Sequence, residues 1–176
     1  MAVDKHWRQH FKSQVFELSL MQYKTHIIGG IGLFGLFLSV VGIFYSLSEL
    51  FLGVIFVLVG SLFPDIDYHK SKLGKYFFYL NYGVKHRGFL HSFFGLIFIV
   101  LLFLFLTQYT AVPLIVLIAF LLGFVSHMLL DALTKKGIRP FYPFKFRIRG
   151  PFRTGKIEEN LLLGLLLVGI VLLMYF

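Results

Sequence analysis

An all-α integral membrane protein, a bundle of about five transmembrane helices, is the fold class that three features of this sequence predict. Of its 176 residues 58% are hydrophobic and only 14% charged, more apolar surface than a water-soluble domain of this length can bury. The apolar residues gather into stretches close to the ~20 residues that a spanning helix needs. All 17 lysines and arginines fall in alternate connections between those stretches.

The elements follow in order. Over residues 1–24, Trp7, Phe11, Val15 and Leu18 recur at spacings of three and four among Lys5, His6, Arg8 and Lys12. This is the pattern of an amphipathic helix lying in the interface. The segment has no clean apolar core, so no cleavable signal peptide is expected. It forms an N-terminal extension to a single membrane-embedded domain, residues 25–176. Five apolar stretches then run over residues 26–45, 48–64, 89–108, 112–133 and 160–176. The second and fifth are short, and the fifth, "LLLGLLLVGIVLLMYF", is bare of polar groups and reads as lipid-facing helix. Residues 134–159 form the longest polar segment. Its "FKFRIRG" alternates aromatic or apolar residues with cations, which suits a basic interfacial loop or short strand on lipid headgroups.

With five spans, residues 1–25, 65–88 and 134–159 share one side, and that side holds every Lys and Arg. By the positive-inside bias it is cytoplasmic. The reading is a multi-pass protein of the plasma (inner) membrane, its N-terminus in the cytoplasm and its C-terminus on the far side.

Polar residues that touch the spans collect at that same end: His26, Asp65, Asp67, His86, His91, His127, Asp131, Glu158 and Glu159. A carboxylate at a helix centre costs roughly 2.5–3.5 kcal/mol on insertion scales, so carboxylates at the end of an apolar run ask for a partner. His127 and Asp131, four apart, share a helix face. His86 and His91, five apart, do not; His86 fits the loop before the third span and His91 its first turn. Cysteine is absent, which excludes disulfides, thiolate ligands and a cysteine nucleophile. An imidazole and carboxylate shell suits zinc, with manganese or ferrous iron as alternatives. The donors outnumber the ligands of one catalytic ion, so two or more ions are expected.

Each residue has an ordinary alternative. An Asp after Pro is commonly a turn residue, a His–Asp pair spaced by four can simply hydrogen-bond, and His6, His10 and His69 read as exposed. What distinguishes the group is co-location at one end of all five stretches.

The segments "GSLFPDIDYHKSKLG", "HRGFLHS", "GFVSHMLLDALTKKGIRPFYPF" and "RTGKIEE" resemble, in order and spacing, the YdjM-like family of membrane-bound metal-dependent hydrolases. The resemblance runs from about Tyr23 to Asn160. That family is distantly similar to zinc-dependent phospholipase C and related nucleases. The resemblance implies the ligands His26, Asp65, Asp67, His86, His91, His127 and Asp131, with Glu159, or else Glu158, as a further one. Tyr68 and His69 stand where the family has a histidine and a proline, Leu90 where it has a threonine, and Lys156 where a serine is common.

The expected activity is metal-dependent hydrolysis of a phosphoester, phospholipid-like or otherwise amphiphilic, at the cytoplasmic face. Asp65 or Asp67 would act as general base. Arg87, Arg147, Arg149 and Arg153 would hold the anionic substrate, because guanidinium pairs with phosphate bidentately. Membrane lipids are the expected partners, ahead of nucleic acid. A metal-ion transporter would need polar groups through both halves of the spans, and a membrane scaffold leaves the histidines unexplained.

Overall fold

A computed structural model of the chain describes residues 23–42, 45–67, 88–153 and 157–173. The interfacial helix expected over residues 1–24 lies outside them, except for Tyr23 and Lys24, which are already helical. Among the described residues are five α-helices, namely α1 (Tyr23–Val41), α2 (Leu47–Leu62), α3 (Phe93–Thr107), α4 (Leu114–Ala132) and α5 (Ile157–Leu173). None of the described residues forms a strand, and the protein is the all-α membrane type that its composition predicts. Three helices, α1, α2 with its extension to Ile66, and α4, are long and apolar enough to cross a membrane; α3 is apolar but shorter.

Local chemistry sets the helix ends. Gly42, at φ 61°, closes α1 short of the expected residue 45, since glycine enters the left-handed region without steric cost. Ser46 and Glu49 cap α2 reciprocally: the Glu49 N–H donates to Ser46 Oγ (3.3 Å) and the Ser46 N–H to Glu49 Oε2 (2.8 Å). Ser92 caps α3 by accepting the Gly95 N–H (3.2 Å). The last helix begins at Ile157 rather than 160, which puts Glu158 and Glu159 in its first turn, where the helix dipole favours acids.

The helix at the centre is α4, with a dozen buried residues along its length. It packs on α2 almost backbone to backbone. A side chain at Gly60 would strike the Phe120 carbonyl, and one at Gly123 the Val57 carbonyl, the close approach that small residues permit between helices in lipid. One apolar cluster joins Phe34, Val57, Ile115, Val116 and Ala119. A second, of Ile99, Phe120, Phe124, Met128 and Ile138, seats α3 and the following loop on α4. The outward face of α3 carries Phe93, Phe94, Ile97, Phe98, Leu101 and Phe105, exposed among the described residues, a belt that suits contact with lipid.

Residues 133–153 fold back on themselves. Ile138 and Ile148 exchange two N–H···O bonds of 3.0 Å, and the Lys135 N–H donates to the Phe152 carbonyl (2.8 Å). The segment expected to be a strand or a loop is therefore a loop pinned by isolated bridges. The Phe93 N–H donates to the Pro140 carbonyl (2.8 Å), which fastens the loop to the start of α3.

Candidate metal centre

Contacts between glycines and their neighbours give the helix directions. Gly53 of α2 meets Phe34 of α1 and Ile115 of α4, while Ser61 meets Gly30 and Gly123. So α2 and α4 run together toward one end of the bundle, and α1 starts from that end. The starts of α3 and α5 are there too, since His91 and Glu159 join the same surroundings as Asp131.

His127 is oriented first. The helix geometry tightens after Leu62 into a 3-10 turn, Phe63–Asp67. In such a turn the N–H three residues on would bond the Ser61 carbonyl, but residue 64 is proline and has none. The Ser61 carbonyl instead lies 2.7 Å from His127 Nδ1. A carbonyl only accepts, so Nδ1 carries the proton, which leaves Nε2 as the nitrogen whose lone pair a metal ion would take.

That lone pair faces oxygen. His127 Nε2 lies 3.8 Å from Asp65 Oδ1 and 3.8 Å from Asp131 Oδ2. His91 Nε2 lies 3.9 Å from Asp65 Oδ1 and 3.6 Å from Asp131 Oδ2. The other oxygen of Asp131, Oδ1, lies 3.8 Å from His26 Nε2. His26 stacks on His127 with ring centroids 3.8 Å apart. These separations are too long for hydrogen bonds. Ligands of a tetrahedral ion stand about 3.3–3.6 Å apart, given metal–ligand bonds of about 2.0–2.2 Å. An imidazole acceptor and carboxylate oxygens turned toward one another repel unless a proton or a metal cation lies between them. The donor set thus fits a divalent ion, and it forms two overlapping trios, His26–His127–Asp131 and Asp65–His91–His127.

Burial sharpens the arrangement. His91 and His127 are fully enclosed and Asp131 nearly so, whereas the Asp65 side chain is 25% exposed. Asp65 is the member of the cluster most open to water.

Of the remaining site candidates, the side chain of Asp67, with His86 and Arg87, lies outside the described residues. Glu159 belongs to neither trio but lines a small cleft with Thr25, His26, Asp131 and Arg153, and its Oε1 accepts from Thr25 Oγ1 (3.0 Å). Glu158 accepts the Arg153 N–H (2.6 Å) and holds the loop to α5. Arg147 and Arg149 are exposed on the loop and do not line the cleft. His91 ends a 3-10 turn, Phe89–His91, just before α3, rather than sitting in the helix's first turn. Two participants are invisible to residue-type reasoning. Ser61 acts through its backbone carbonyl, and Thr25 through its neighbour Glu159, although its position next to His26 was a signal.

A model of the YdjM inner membrane protein family matches residues 21–176. The chain is 33% identical over 150 residues to Uncharacterized protein YvsG of Bacillus subtilis (strain 168), covering 82% of this chain and 88% of that protein. It is 34% identical over 95 residues to Inner membrane protein YdjM of Escherichia coli (strain K12), covering 51% of this chain and 48% of that relative. No solved structure matches.

Proposed function

The chain belongs to the YdjM inner membrane protein family, and from that premise we propose that it is a membrane-bound metal-dependent hydrolase acting on a phosphoester. The supporting observation is the His127 Nε2 lone pair, aimed by the Ser61 carbonyl at the Asp65 and Asp131 carboxylates. His91, His127, Asp65 and Asp131 Oδ2 would hold one ion. His26 and Asp131 Oδ1 start a second position, so Asp131 would bridge the two. With nitrogen and oxygen donors and no thiolate, zinc is the first assignment and manganese the alternative.

When bound, such an ion makes nearby water more acidic and neutralises charge on phosphoryl oxygens. The chain's own groups do the rest. Asp65, the most exposed member of the cluster, accepts the proton of the attacking water as general base, with Asp67 as its companion at the end of the same turn. Arg153, which lines the cleft, would bind the phosphoryl group, and Arg87, Arg147 and Arg149 would add positive potential. The cluster, the N-terminus and the basic loop face the cytoplasm, with five spans and the C-terminus opposite. A phospholipid-like amphiphile reaches such a site from its own leaflet.

Elemental analysis of the purified protein, with hydrolysis assays on phospholipids and generic phosphodiesters, tests this. Wild type is expected to hold one or more equivalents of zinc or manganese and to turn over a substrate. An Asp65→Ala, His127→Ala double variant is expected to lose both. A wild type that takes up no metal even from excess would remove the hydrolase reading and leave a membrane scaffold.

A further inference from the structure

Between α1, α4 and α5 lies an apolar groove of about 540 Å³, within the roughly 300–1,000 Å³ of sites that take organic ligands. Its walls include Gly29 and Gly32 of α1, Leu129 of α4, and Leu165 and Gly169 of α5, and among the described residues Ser126 is the one polar side chain lining it. It is not simply a seam awaiting another helix. Leu130 and Leu162 line both this groove and the cleft of Thr25, His26, Asp131, Arg153 and Glu159. The groove and the cleft that holds His26 and Asp131 therefore adjoin at Leu130 and Leu162. From Leu162 to Ile170 it follows α5 for about 12 Å, at 1.5 Å per residue.

We propose that this groove binds one acyl chain of an anionic lipid whose phosphate sits at the His/Asp cluster. Two observations select this occupant over a protein helix. The groove follows α5 for only about 12 Å, short of the roughly three to four turns of an ordinary helix. And the loop at the cleft, residues 134–153, carries Lys135, Lys136, Arg139, Lys145, Arg147, Arg149 and Arg153 with no acid among them, which complements an anionic headgroup. The proposal rests on reading the cluster as the place where a phosphoester is held, and it adds how an amphiphile is oriented there.

The test uses the whole protein in phosphatidylcholine nanodiscs containing phosphatidic acid with a diazirine in one acyl chain. After irradiation, label is expected on the groove residues Leu33, Leu129 and Leu165. The same diazirine on phosphatidylcholine is expected to label them several-fold less. Gly164 and Gly169 of α5 both have open space where a side chain would start, but only Gly169 lines the groove. Gly169→Phe should cut the labelling several-fold and Gly164→Phe should leave it unchanged. Neither swap should harm the helix, because any such residue is a better helix former than glycine. Label spread evenly over lipid-facing helices, the phenylalanines of α3 included, would overturn the proposal, as would equal labelling in Gly169→Phe. Groove labelling in a protein that binds no metal would keep the groove and remove the hydrolase reading. Hydrolysis of a soluble phosphodiester without groove labelling would do the reverse.

Discussion

Pro64 matters for what it lacks. Without an N–H at position 64 the Ser61 carbonyl is left for His127 Nδ1, 2.7 Å away, and the ring's lone pair is set toward the carboxylates. Pro64→Ala restores a competing donor. Its expected effect is a loss of metal affinity of about 10-fold, the low end for removing a partner that orients a ligand, read by competition with a chelator. His127 belongs to both trios and His26 to one. With Nδ1 on the Ser61 carbonyl, the one remaining nitrogen of His127 serves the four-ligand position. His127→Ala should therefore lose the more tightly held ion, while His26→Ala should keep about one ion in the position formed by Asp65, His91, His127 and Asp131. Equal losses from the two variants in elemental analysis would argue against two positions. The donors themselves were legible in sequence, because His and Asp next to apolar runs are costly and rare. Ser61 was not, because its contribution is a backbone carbonyl and any residue has one.

At the scale of elements, the α2–α4 contact positions the site. Gly60 and Gly123 let the helices touch, and this brings Ser61 and Asp65 alongside His127. A side chain there meets backbone first. Gly123→Leu should cost at least the upper end of the usual overpacking penalty of ~1–3 kcal/mol, seen as a lower melting temperature in detergent and as loss of metal. At the other end of α2, Ser46→Ala removes the capping box and should cost about 1 kcal/mol while leaving metal content intact. A matched loss of metal in both variants would mean that the site depends on global stability and not on this contact. The lengths and positions of the apolar stretches located the helices to within a few residues. Their ends were set by Gly42, Ser46 and Ser92, local signals that hydropathy does not weigh.

For the whole molecule, the distribution of charge predicts which side each connection occupies. The chain has no cysteine, so single-cysteine variants report without background. Lys145→Cys, in the basic loop, should react with a membrane-impermeant maleimide only when the cytoplasmic face is open. Tyr109→Cys, exposed between α3 and α4, should react only from the opposite side. Labelling of both from one side would overturn the five-span orientation and the inner-leaflet substrate with it.

By itself the sequence determined the solvent, the helical class and the end of the bundle at which polar chemistry collects. Each of these follows from counting apolar and charged residues along one dimension, and transfer free energies act on every residue separately. Only the tertiary structure decided which donors meet. It brought His26, Asp65, His91, His127 and Asp131 within one cluster, set Glu159 beside Thr25, and left Arg147 and Arg149 on the loop surface. Those outcomes depend on the rotation of each helix about its axis and on how closely backbones approach. Both are set by packing between residues far apart in the chain, such as Gly60 against Phe120 and Gly123 against Val57, and no linear pattern encodes that distance.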